Sequence, residues 1–285
     1  MMNYKSILNL LGILLVIFSL SFIPPLMLSA FYAEPLSGIF LYSFLFLITL
    51  GCLMWFTSRQ KDLPLNISDG FIITTMFWIV LAFAGSIPFY FFGLSASDAI
   101  FESVSGITTT GATVIVGLDE LPKSLLLYRQ LLQWIGGMGL IILAVAVMPT
   151  LGIGGGQLYK MELPGSHGNQ KLTPKITDSA KALWKIYFGL TIICALLYLL
   201  SGMNLFDAIA HSLSTVAGGG FSTHDDSIGF FDSGLIEAVC IIFMLLSAAS
   251  FAVHYAAIFG GKPLKYFYDS EFRFFLSVVI SIAIV

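Results

Sequence analysis

Apolar residues fall in long, nearly uninterrupted blocks along this chain, and short polar stretches separate them. Such blocks predict membrane-spanning helices, because about 20 apolar residues cover the hydrocarbon core of a bilayer. The blocks lie at 6–33, 37–57, 70–93, 124–148, 181–201 and 234–259. The first is longer than the apolar part of a secretory leader, about 7–15 residues, and no A-x-A cleavage site follows it. It is read as a retained helix that Pro24 and Pro25 kink or break. A last apolar run, 272–285, is shorter than a span, so the chain is expected to be a fragment of a longer protein.

Two of the polar stretches resemble each other. Residues 93–113 and 202–222 align at a constant offset of 109, with seven of twenty-one positions identical, including Gly93/Gly202, Asp98/Asp207, Ser105/Ser214 and Gly111/Gly220. Each stretch lies between two spans, and both keep the same direction, so the units are parallel repeats. The offset places the start of a third unit near residue 270. Within each stretch a helix-start pattern comes first, Ser95-x-x-Asp98 or Asn204-x-x-Asp207, combining a cap with an acid in the first turn. About ten moderately apolar residues follow, too few to cross a bilayer and suited to a re-entrant helix. Then comes Thr108-Thr109-Thr110-Gly111 or Gly218-Gly219-Gly220.

Either string alone would be an ordinary turn. Together, after short capped helices on one side of the membrane, they describe a pore loop. Non-helical backbone at membrane depth must be satisfied by protein or water. Glycine-rich backbone can present a row of carbonyls in conformations with positive φ. Such carbonyls replace the hydration shell of a potassium ion. The short helix also turns its partly negative C-terminal end toward the string, which favours a cation.

Composition agrees with this class. The 285 residues are 58% hydrophobic and 10% charged, where soluble domains have about 25% charged residues. Mean hydropathy is +0.94. Net charge is −3, with no polybasic stretch for nucleic acid. The spans hold almost no ionisable groups and no nucleophile–base spacing, so an enzyme is not expected. Cys52, Cys194 and Cys240 read as small core hydrophobes. Eleven of thirteen Lys and Arg residues fall on one side, which makes that side and the N-terminus cytoplasmic. Ten acids, among them Glu34, Glu102, Asp119, Asp207 and Asp225, fall outside; they either concentrate cations or simply face solvent.

Several residues keep two readings. Arg129 snorkels to the outer interface or pairs with an acid such as Glu102, as structure or to tune cation entry. His211 meets water or a neighbouring loop. His254 makes an interhelical hydrogen bond. His167 and His224 stand in loops without metal spacing. Gly136, Gly137 and Gly139 allow close helix packing or a hinge. Gly152–Gly156 is a cytoplasmic turn and not a phosphate loop, and 160–180 is either a docking surface or a solvated linker.

These features resemble the Trk/Ktr/HKT superfamily of potassium transporters, and within it the bacterial TrkH family. The resemblance extends through residues 129–159 (RQLLQWIGGMGLIILAVAVMPTLGIGGGQLY), 162–165 (ELPG) and 171–184 (KLTPKITDSAKALW). It implies an all-α integral membrane protein in which parallel span–pore-loop–span repeats surround a pseudo-fourfold ion pathway. Here the expected parts are a leading helix pair (1–69), a first repeat (70–148), a cytoplasmic linker (149–180), a second repeat (181–259), and a linker with the start of a third repeat (260–285). The resemblance implies filter strands at Thr109, Thr110, Gly111 and Ala112, and at Gly218, Gly219, Gly220 and Phe221. Potassium would be held by the carbonyls of Thr110, Gly111, Gly219 and Gly220, with no organic cofactor. It further implies potassium uptake across a bacterial inner membrane, a homodimer, and gating by a cytoplasmic nucleotide-binding ring protein of the TrkA type. The third and fourth filter strands are not in these 285 residues. The alternative expectation is therefore a non-conducting membrane subunit that only assembles with, or regulates, a full-length transporter.

Overall fold

The computed structural model describes residues 4–59, 67–147 and 176–284, and secondary structure among them is entirely helical. The leading pair is α1 (Tyr4–Ser19), a 3-10 turn (Leu20–Phe22), α2 (Ile23–Phe31) and α3 (Ser37–Thr57). Pro24 and Pro25 fall in the first turn of α2, where no intrahelical N–H bond is lost. The span continues through the 3-10 turn without ending. Next come α4 (Ile67–Phe92), the short α5 (Ala96–Ile107) and α6 (Lys123–Val147). The same order returns in α7 (Ile176–Leu200), short α8 (Leu205–Ala217) and α9 (Gly234–Ser247). The described chain closes with α10 (Phe251–Ile258), α11 (Lys265–Tyr268) and α12 (Ser270–Ile284). The stretches Tyr4–Phe31, Ser37–Thr57, Asp69–Phe92 and Lys181–Leu200 are long and apolar enough to cross a membrane. The glycine turn 152–156 and most of the linker lie outside the described residues, as does His167.

The block at 234–259 is not one helix. It stops at Ser247 and restarts at Phe251, with Ser250 extended at φ −62°, ψ 141°. His254 mends the break. Its Nε2 lies 2.9 Å from the Leu246 carbonyl and its Nδ1 lies 2.6 Å from the Tyr266 hydroxyl. A carbonyl only accepts, so Nε2 carries the proton and Nδ1 accepts from the tyrosine. Freed backbone groups in a span need such substitutes. The sequence pattern missed the break because the residues flanking it are all apolar or small.

Two apolar clusters hold the bundle. One gathers Phe22, Phe40, Phe89 and Tyr128 between the leading pair and the first unit. Tyr128 is fully buried there and donates its hydroxyl to the Gly85 carbonyl at 2.8 Å, so the aromatic packs without an orphaned polar atom. The other gathers Met138, Tyr187, Cys194, Tyr198 and Phe243 around the second unit. Between α1 and α3, a Cβ on Gly12 would meet the Gly51 carbonyl oxygen at 2.8 Å, so small residues let these backbones touch. Large apolar side chains such as Phe31, Tyr42, Phe56 and Leu200 face outward, as they do where the solvent is lipid.

Candidate functional site

The site begins with two short helices. Ser95 and Asn204 cap α5 and α8, each side chain accepting the N–H three residues on, from Asp98 at 3.2 Å and Asp207 at 2.9 Å. At about 1.5 Å per residue, 12 and 13 residues give helices near 18 and 20 Å, short of a 30 Å core.

Their C-terminal ends share one backbone pattern. The Thr110 N–H donates to the Ser105 carbonyl at 2.9 Å, and the Gly219 N–H donates to the Ser214 carbonyl at 3.0 Å. The Ser105 hydroxyl then donates to the Ala112 carbonyl at 2.5 Å, and the Ser214 hydroxyl donates to the Phe221 carbonyl at 2.8 Å. Gly111 and Gly220 have φ of +79° and +81°, and Thr109 and Gly218 have φ of +54° and +69°. Every one of these pairs obeys the 109-residue offset.

The two strings meet. A Cβ on Gly111 would stand 1.9 Å from the Gly219 carbonyl oxygen. Gly111 of the first string is therefore beside Gly219 of the second. Thr110, Ala112, Gly218 and Gly220 are exposed, whereas Phe221 is buried at 2%. Ala112 and Phe221 have their carbonyls turned to the serines of their own short helices.

One buried ion pair ties both loops to α6. Arg129 and Glu102 are fully buried, with Arg129 Nε 2.7 Å from Glu102 Oε1. Arg129 also donates from its other nitrogens to the Ser222 carbonyl at 3.0 Å and the Thr113 hydroxyl at 3.1 Å. Its guanidinium lies 4.4 Å from the Phe221 ring centre. Thr113 in turn donates to Glu102 at 3.0 Å. Of the two readings of Arg129, pairing with Glu102 is the one observed, and no snorkelling occurs. At the position matching Glu102, His211 is also buried, at 1%, and of its two expected surroundings the loop is the one it meets. Its Nδ1 bonds the Asp207 carbonyl at 2.9 Å and its Nε2 bonds the Ser222 hydroxyl at 2.9 Å. Both positions thus brace the return limb of their own loop, one by a carboxylate and one by an imidazole ring.

Close packing explains the α6 glycines. A Cβ on Gly136 would stand 2.0 Å from the Ile107 carbonyl oxygen, and one on Gly137 would stand 2.7 Å from the Tyr187 hydroxyl. Gln133 lies on the same face as Arg129 and Gly136, and its Oε1 accepts the Phe221 N–H at 3.0 Å. Sequence reasoning missed Gln133. The available signal was an amide in an apolar span, one helical turn from the buried arginine.

Two of the outer acids bind backbone. Glu34 accepts the Lys123 N–H at 2.9 Å and the Ser124 N–H at 3.2 Å, and so caps α6 from the leading pair. Asp225 accepts the Gly117 and Leu118 N–H groups at 3.0 and 3.1 Å, joining the two outer loops. His224 bridges Asp119 and, at 3.3 Å, Asp207. The His224 hydrogen bond holds the Asp119 carboxyl below its usual range. A lowered carboxyl pKa stabilises the folded state above the unfolded value, near 3.8, and that contribution is lost as pH falls through the lowered value. Asp119→Asn is thus expected to lower the unfolding temperature of the purified protein at pH 6, with the gap to the parent closing at a pH well below the unfolded value. An equal gap at both pH values would refute this linkage.

Fold and site together define a helical membrane protein in which two short helices enter from one side and bring two backbone strings into contact. The family model described as TrkH, cation transport protein, matches residues 37–285, and the chain belongs to that family. It is 49% identical to the Trk system potassium uptake protein TrkH of Halomonas elongata, over all of this chain and 60% of that protein. It is 43% identical to the Escherichia coli protein of the same description, again over all of this chain and 59% of the relative. The crystal structure of the potassium transporter TrkH from Vibrio parahaemolyticus superposes with a TM-score of 0.84 at 46% identity, over 98% of this chain and 57% of the other. The chain thus spans about 60% of the length of these relatives.

Proposed function

We propose that this chain supplies two filter strands of a potassium uptake pathway. Contact between the Gly111 and Gly219 backbones supports the reading best, because it brings two carbonyl strings together at the ends of inward-pointing helices. The domain division follows the same logic: a leading pair to residue 69, repeats at 70–148 and 181–259, linkers at 149–180 and from 260, and a third repeat opening near residue 270, where α12 starts. The carbonyls of Thr110, Gly111, Gly219 and Gly220 are assigned to potassium. Those of Ala112 and Phe221 accept serine hydroxyls and shape the strands from behind.

Two strands leave a fourfold cation site half built, so conduction is assigned to a complete transporter containing these residues. Such a transporter is placed in a bacterial inner membrane with the N-terminus cytoplasmic. It is proposed to be a homodimer gated by a ring protein of the TrkA type. Rubidium uptake in cells lacking their own potassium uptake tests this. Flux is expected from the complete transporter and not from residues 1–285 alone. No flux from the complete transporter would overturn the proposal, and robust flux from residues 1–285 alone would overturn the division of labour.

A further inference from the structure

Gln133 is fully buried in α6, and its carboxamide lies between the two strings. Its Oε1 accepts the Phe221 N–H of the second string at 3.0 Å. Its plane rests on the Gly219 α-carbon: a Cβ there would stand 2.4 Å from Gln133 Cδ and 2.6 Å from Oε1 and Nε2. Its Nε2 end reaches the first string, 3.6 Å from where a Cβ on Gly111 would stand, and this buried nitrogen has no hydrogen-bond partner. One side chain thus bonds one string and borders the space beside the other.

The second unit makes the matching contact with a different chemistry. There Met244 of α9 places its Cε 3.6 Å from the Cβ position of Gly220. Methionine and glutamine have similar length, but only glutamine offers an acceptor. The polar link therefore belongs to the junction between the two units and is not a general requirement of the repeat.

We propose that Gln133 is a positioning residue that holds the two strings in register and thereby sets how strictly potassium is preferred over sodium. This rests on the filter reading above. Without the Oε1 acceptor, the buried Phe221 N–H has no partner, and burial penalises an unpaired donor. The peptide then rotates toward another acceptor, and the neighbouring Gly219 and Gly220 carbonyls turn with it. Selectivity follows the number and spacing of those carbonyls, so it is the property that changes first.

The test compares Gln133→Met, which keeps length and removes the acceptor, with Gln133→Glu, which keeps an acceptor oxygen. Both are made in the complete transporter, and sodium competition against rubidium uptake is measured along with the unfolding temperature. Gln133→Met is expected to lower the potassium preference about fivefold, equivalent to about 1 kcal/mol of differential binding, while Gln133→Glu stays within about twofold of the parent. An unchanged preference in Gln133→Met, or equal losses in both variants, overturns the proposal. If Gln133→Met does not reach the membrane, Gln133→Leu, which also lacks the acceptor, takes its place under the same criteria. Gly220→Ser separates the two levels. If it alters selectivity while Gln133→Met does not, only the role of Gln133 fails. If neither variant alters selectivity, the filter reading fails as well.

Discussion

A complete transporter carrying Gly111→Ser is expected to lose its preference for potassium over sodium about tenfold or more, the change produced by about 1.4 kcal/mol of differential binding. Two independent constraints converge on this residue. Its φ of +79° lies in the left-handed region, where a side chain is strained. Its missing Cβ also makes room for the Gly219 carbonyl, which would otherwise be 1.9 Å away. That neighbour is backbone and cannot swing aside as a flexible side chain would, so serine must push the strings apart. Gly220→Ser shares the strain, at φ +81°, but meets nothing nearer than Met244 Cε at 3.6 Å. It is expected to alter selectivity too, by a smaller factor. The measurement is sodium competition against rubidium uptake for both variants. Equal effects would mean that only backbone conformation matters, and no effect in either would remove the filter assignment.

Arg129→Met is expected to be strongly destabilising. The arginine is fully buried and joins Glu102, Thr113, the Ser222 carbonyl and the Phe221 ring. Removing it leaves the Glu102 carboxylate buried with only the Thr113 hydroxyl and the Val114 N–H as donors. Breaking one side of a buried pair costs about 3–5 kcal/mol. The purified variant should unfold at a clearly lower temperature and accumulate poorly in membranes. Pairing it with Glu102→Gln removes the stranded charge and is expected to recover part of the loss, because residues in one network do not contribute additively. A double variant no more stable than Arg129→Met would mean that the arginine acts through its packing on Phe221 and its bond to Ser222, and that the charge pair is secondary.

Much of this molecule could be read before its structure was seen. Four of the expected spans, at 6–33, 37–57, 70–93 and 181–201, follow from apolar block length, because a helix satisfies its own backbone in hydrocarbon. The short capped helices follow from Ser95-x-x-Asp98 and Asn204-x-x-Asp207, because capping is local chemistry. The internal repeat follows from identities at a fixed offset, and the structure carries that offset down to single hydrogen bonds, such as those of Ser105 and Ser214.

Other features depend on which distant residues come together. The break at Ala248–Ser250 is stabilised by His254 and Tyr266, and apolar content is the same on both sides of it. The partner of Arg129 is one acid among several on the same face until α5 and α6 are packed. Gln133 looks like an ordinary polar residue in a span until Gly219 lies against it. Block length, capping and repeats are properties of neighbours in the chain, so the sequence by itself determined them. The meeting of the strings, the ion pair behind them and the amide between them join residues 27 to more than 100 positions apart, and only the packed fold decides such contacts.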